Sequence, residues 1–168
     1  NAIIGSAAIA ASYALWGLDG LSVSASFPAG AAIADRELKS KNFRDESIIG
    51  ALFAPLSIYG INAIKHVPAS LGLDTLTTTF GAYVPIMNGI YYGLDYLIKN
   101  KTFNGMGSYL KKHYSKGFKE TFFLNIVASA AVGATYAMPF LDPYLFPFMA
   151  VANILYRVRL SPKKEEHS

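Results

Sequence analysis

The chain has 168 residues, of which 52% are hydrophobic and only 15% charged, with fifteen lysines and arginines against eleven aspartates and glutamates. That composition is too apolar for an ordinary soluble domain of this size, and it points to a membrane as the solvent. The net charge of +4 does not argue for nucleic acid, because the lysines sit at the ends of apolar runs rather than in a basic domain, and the lack of cysteine excludes disulfides, thiolate metal sites and cysteine nucleophiles.

A helix needs roughly 18 or more uncharged residues to cross about 30 Å of hydrocarbon. The opening run, 2–18, is close to sufficient. It lacks a basic leader and a cleavage site, so it reads as a span and not as a signal sequence. Opening on Asn1 rather than methionine is compatible with a processed or trimmed chain. Residues 21–34 are apolar but carry Ser22, Ser24, Ser26, Pro28 and Gly30 with a period-two alternation. They read best as a short interfacial or re-entrant piece ending in a helix through Ala31 to Leu38, because a second crossing would disturb the sidedness of the later loops. If they cross, the count rises to six.

Spans follow at 47–64 and 75–94. Beyond them Phe103, Met106, Leu110, Tyr114 and Phe118 recur at three- and four-residue intervals with Lys112, Lys116 and Lys119 opposite, which predicts an amphipathic interfacial helix near 103–119. A solvated loop is the alternative, favoured by Gly105, Gly107 and Gly117. Tyr91, Tyr92, Tyr96, Phe122 and Phe123 flank the segment like an aromatic belt. A fourth span covers 121–141. The last, 143–158, is short and needs Arg157 and Arg159 to snorkel. The expectation is an all-α integral membrane bundle of about five transmembrane helices, within four to six. It forms one multispanning domain over 1–160, followed by a charged tail at 161–168.

The basic residues set the topology. Arg36, Lys39, Lys41 and Arg44 fill the first charged segment, Lys65 stands alone in the second, and Lys99, Lys101, Lys111, Lys112, Lys116 and Lys119 fill the third. The segment around Asp142 has none, and Arg157, Arg159, Lys163 and Lys164 close the chain. The positive-inside rule converts this rhythm into alternating sides of a membrane. Five crossings then put the amino terminus opposite the carboxyl tail. Arg36, Lys39, Lys111, Lys112, Lys116 and Lys119 are candidate contacts to lipid headgroups, with anionic lipids as partners.

One amide falls in each of four predicted spans, at Asn62, Asn88, Asn125 and Asn153. A buried amide requires a partner, so these residues should face inward, as clamps between helices or as the lining of a narrow path. No charge sits mid-span, which disfavours ion-coupled transport. Gly89 and Gly93 form a GxxxG step suited to close helix packing. Pro55 and Pro85 should kink their spans, and Pro139, Pro143 and Pro147 mark a broken turn. Asp35, Arg36, Glu37, Asp45 and Glu46 read as a solvated loop. His66, His113 and His167 are scattered without metal-ligand spacing, and no hydrolase or phosphate-loop motif is present, so neither enzyme nor cofactor is expected.

With the spans placed, the layout from Gly30 onward resembles the Mpv-seventeen family, small membrane proteins of peroxisomes and the mitochondrial inner membrane. The likeness lies in Gly30-Ala31-Ala32-Ile33-Ala34-Asp35, Gly50-Ala51-Leu52-Phe53-Ala54-Pro55 and Tyr136-Ala137-Met138-Pro139. The family's Trp-Pro pair and its following polar residues are absent from Asn125 to Gly133, as is the arginine after Pro139. The resemblance implies an organellar inner membrane and a solute-channel or scaffolding role. On the residues, the leading expectation is a structural, accessory subunit of a larger membrane complex, such as an energy-transducing one; the resemblance implies the mitochondrial inner membrane as its location. The basic loops would lie on the matrix or cytoplasmic side, and other membrane subunits would be partners. A small pore of the Mpv-seventeen type, lined by Asn62, Asn88 and Asn125, is the alternative.

Overall fold

The computed structural model describes residues 2–35, 39–70 and 79–160, all of whose regular structure is helical. Arg36 and Glu37, residues 71–78, which include the start of the predicted third span at 75–78, and the tail 161–168 lie outside the described residues. Six helices follow in order: α1 (Ala2–Asp35), α2 (Ser40–Ser70), α3 (Val84–Asn100), α4 (Met106–Glu120), α5 (Phe122–Ala137) and α6 (Asp142–Leu160). A π-helical turn at Thr79–Tyr83 leads into α3, and a 3-10 turn at Pro139–Leu141 leads into α6. Two helices, over Ala2–Ala34 and Lys41–Ile64, are long and apolar enough to cross a membrane.

The first of these is folded in two. Gly17 has φ 61° and ψ −144°, a conformation open essentially to glycine alone, and it divides α1 into arms 2–16 and 18–35. A straight helix would hold Gly5 and Ser24 about 28 Å apart. Instead a Cβ at Gly5 would meet Ser47 at 3.2 Å, and one at Gly50 would meet the Ser24 backbone, both within one stretch of α2. The Ser12 hydroxyl also donates to the Gly20 carbonyl at 3.0 Å. The arms therefore run antiparallel, and residues 21–34 form a regular helix packed on α2 and α6, not an interfacial or re-entrant piece. The alternation of serines was misleading because Ser24 and Ser26 donate to carbonyls one turn back, those of Leu21 and Val23, and so satisfy themselves inside a helix.

This reversal corrects the expected position of the amino terminus. Gly5 lies against Phe43 and Ser47, Gly30 lies against Arg157, Arg157 pairs with Glu46, and Tyr92 meets Gly117. The start of α1, the junction of α1 with α2, the end of α3, α4 and the end of α6 thus share one end of the bundle. At the other end the Tyr83 ring lies against Gly60 of α2. The described basic segments lie at the same end as the start of α1, which was expected opposite the end of α6.

Close backbone approach decides the packing. At Gly50 the neighbour is the main chain of Ser24, and at Gly20 it is the main chain of Ser12. A Cβ at Gly93, by contrast, would meet nothing within 4 Å and one at Gly89 only the Tyr114 ring at 3.7 Å, so among the described residues the GxxxG step brings no second backbone close. Helix α2 continues through Pro55. Pro85 falls in the first turn of α3, where a missing N–H is not needed, and the wider π turn before it accommodates the ring. The core joins Val23, Phe27, Ile49, Phe53, Ile61, Met87, Val132 and Phe146. The Phe27 ring packs tilted against those of Phe53 and Tyr91, with centroids 5.2 and 5.9 Å apart.

Candidate functional site

The end of the bundle where α2 begins and α6 finishes holds an ion pair whose carboxylate is buried. Arg157 near the end of α6 donates from Nη2 to Glu46 Oε1 of α2 at 2.6 Å and from Nη1 to the Tyr91 hydroxyl of α3 at 3.0 Å. The Glu46 side chain is 3% exposed and the Arg157 side chain 25%, so the pair ties three helices together with its carboxylate withdrawn from water. The neighbouring Asp45 is also buried and is bridged by Arg44 at 2.6 Å. Both acids were expected in a solvated loop. They are inside because Glu46 continues the buried face of α2 through Gly50, Phe53, Ser57 and Ile61, at steps of three and four.

A third buried acid, Asp95 of α3, pairs with Lys99 one turn on and accepts a hydrogen bond from the Tyr109 hydroxyl at 2.8 Å. Burial first, and then the Asp95 carboxylate, hold the Tyr109 phenol above the usual tyrosine range. Through this bond, the Tyr109 ring on Tyr96 at 5.1 Å, and the approach of Gly117 to Tyr92, α4 lies across α3. The predicted amphipathic helix is therefore present, over 106–120. Lys111, Lys112, Lys116 and Lys119 are exposed on it, Leu110, Tyr114 and Phe118 half-buried. Gly117, which argued against a helix, is required by the contact with Tyr92. Lys39 is likewise exposed.

The four amides behave differently from one another. Asn125 is fully buried, donates to Thr121 at 3.4 Å and accepts from Tyr156, clamping α5 to α6. Asn153 donates to Ser26 at 3.2 Å, clamping α6 to α1. Asn62 is exposed and corrects the expectation that it faces inward. Asn88 has its Nδ2 shielded from solvent with no hydrogen-bond partner among the described residues.

Asn88 instead borders a cavity of about 90 Å³. Its walls are mostly apolar, from Val23, Phe27, Phe53, Met87 and Met149, and its polar lining comes from Glu46, Arg157, Tyr91, Tyr156 and Asn153. Glu46, Tyr91 and Arg157 are the residues that the reading of the sequence missed, Arg157 having been assigned to snorkelling. The helical period carried the signal: Glu46 and Arg157 each continue a buried face past the end of an apolar run. No spacing could pair them, because they are 111 residues apart. Among the described residues no group of three acids and histidines could hold a metal. No protein-family model, no curated protein and no solved structure matches the chain.

Proposed function

We propose that the chain is an integral membrane protein that crosses the bilayer six times, with the two arms of α1 and with α2, α3, α5 and α6, and that it serves as a structural, accessory subunit of a larger membrane assembly. The observation that carries this reading is an inverted distribution of polarity. Large apolar side chains stand outward on successive helices, among them Ile3, Leu18, Tyr59, Ile86, Phe123 and Phe140, with Phe123 at 74% exposure. The interior meanwhile holds Ser24, Ser47, Asn125, Ser129, Thr135 and the Glu46–Arg157 pair. A water-soluble protein would gain by reversing that arrangement, whereas in hydrocarbon, interhelical polar bonds and small-residue contacts hold helices together.

The accessory role is supported by the arm 2–16. Of it only Gly5 and Ser12 are buried, while Ile3, Ile4, Tyr13 and Leu15 face away from the bundle. The arm sits on α2 by one small-residue edge and leaves a broad apolar flank for another subunit. The arm 2–16 and α5, with contour lengths of about 22–24 Å, are shorter than average hydrocarbon, which local thinning accommodates. With the basic ends facing the matrix or cytoplasm, anionic headgroups would meet Lys111, Lys112, Lys116 and Lys119 on α4. The resemblance to the Mpv-seventeen family favours an organellar, mitochondrial inner membrane.

Mass measurement after extraction in mild detergent tests the role: a heteromeric particle much heavier than the chain is expected, and a lone chain would refute it. A solute path is the second reading, favoured by the cavity beside Asn88. The Glu46–Arg157 pair would have to part to open it. Flux through liposomes containing the purified chain would support it.

A further inference from the structure

We infer that the cavity beside Asn88 binds the head of an uncharged, lipid-soluble molecule bearing a carbonyl or hydroxyl oxygen, held by the Asn88 amide. This goes beyond the accessory role and stands on the cavity itself. The Asn88 Nδ2 is a donor withdrawn from solvent with no acceptor among the described residues. Such a group is costly to leave unmade, so a ligand oxygen there would satisfy it.

The surroundings define the rest of the ligand. Phe27, Phe53, Met87 and Met149 make most of the wall apolar, and thioethers adapt their shape to what they enclose. Glu46 and Arg157 neutralise one another across 2.6 Å at the same cavity, so an anion would meet the carboxylate and a cation the guanidinium. Neither charge is accommodated without breaking the pair. The volume of about 90 Å³ is smaller than the roughly 150 Å³ of an apolar protein cavity that takes benzene, which limits the enclosed part to a small head. The remainder of the molecule extends into the hydrocarbon between helices.

The probe is a long-chain alcohol carrying a diazirine next to its hydroxyl, applied to the purified chain in detergent. Its carboxylic acid counterpart is the charged control, and the sites of photolabelling are mapped by peptide mass. The expected result is saturable labelling of peptides containing Met87 and Met149, competed by unlabelled alcohol, with the acid at least about fivefold weaker. Asn88→Leu should weaken labelling by roughly three- to tenfold, the range for one hydrogen bond. Ala128 also lines the cavity, and Ala128→Phe, which fills it, should abolish labelling. The Asn88 variant removes only an unpartnered amide and should fold, so the test does not depend on the bulkier one. Labelling that rises linearly with probe, that spreads over outward residues such as Phe123, or that is unchanged in Asn88→Leu overturns the site, as does equal labelling by the acid. The assay uses the isolated chain, so its outcome is separate from that of the particle-mass measurement.

Discussion

Replacing Arg157 with methionine removes the guanidinium that faces Glu46 at 2.6 Å and keeps most of the apolar volume. The carboxylate is 3% exposed, so it cannot recover water without opening the bundle. Its cheapest response is to take up a proton. For a glutamate with an ordinary pKa near 4.3, protonation at pH 7 costs about 3.7 kcal/mol, and the lost bond to Tyr91 adds about 1 kcal/mol. The sum lies near the upper part of the ~3–5 kcal/mol found on breaking buried pairs. For a chain of this size it corresponds to a fall of about 9–19 °C in the unfolding midpoint. The double variant Glu46→Gln/Arg157→Met leaves no charge behind and should recover to within about 1 kcal/mol of the parent. Acidification provides a further signature. In Arg157→Met the folded state holds a proton that the unfolded state lacks at neutral pH, so the deficit should shrink by about 1.4 kcal/mol per unit between pH 7 and 5. Reversible unfolding in mixed detergent, followed by circular dichroism at both pH values, measures each quantity. A single-variant loss below about 1 kcal/mol, or a loss indifferent to pH, would refute the reading of Glu46 as a charge dependent on Arg157.

Gly50→Ala should destabilise by about 2 kcal/mol or more, because its Cβ meets the Ser24 main chain, whereas Gly93→Ala meets open space and should stabilise by up to about 1 kcal/mol through helix propensity; thermal unfolding of the two variants side by side checks the contrast. The chain has no cysteine, so single cysteines at Ala2 and Lys112 can be labelled cleanly with an impermeant maleimide in oriented vesicles. Both should react from the same side if the reversal at Gly17 holds, and from opposite sides if the count of crossings is odd. The raised ionisation of Tyr109 means that the stability it confers is complete below about pH 10, the ordinary tyrosine value, and is lost as the pH climbs beyond it. Tyr109→Phe should abolish one late phenolate transition near 295 nm and loosen α4, seen as faster proteolysis between Lys101 and Lys119.

The residues by themselves determined the all-helical class. Long apolar runs between lysine bursts read as helices, and the three- and four-residue recurrence from Met106 to Phe118 yields the helix seen at 106–120. The amides at Asn125 and Asn153 were legible as clamps for the same reason, since each sits inside an apolar run. Tertiary structure decided what local pattern could not. The reversal at Gly17 depends on one backbone conformation that composition does not reveal, and it settles where the amino terminus lies. Asn62 and Asn88 look alike in sequence, yet only the rotation of their helices makes one exposed and the other a donor facing a cavity. The pairing of Glu46 with Arg157 belongs to the packing of α2 against α6: both charges lie at the ends of apolar runs, where water and burial are equally open to them until a partner helix arrives.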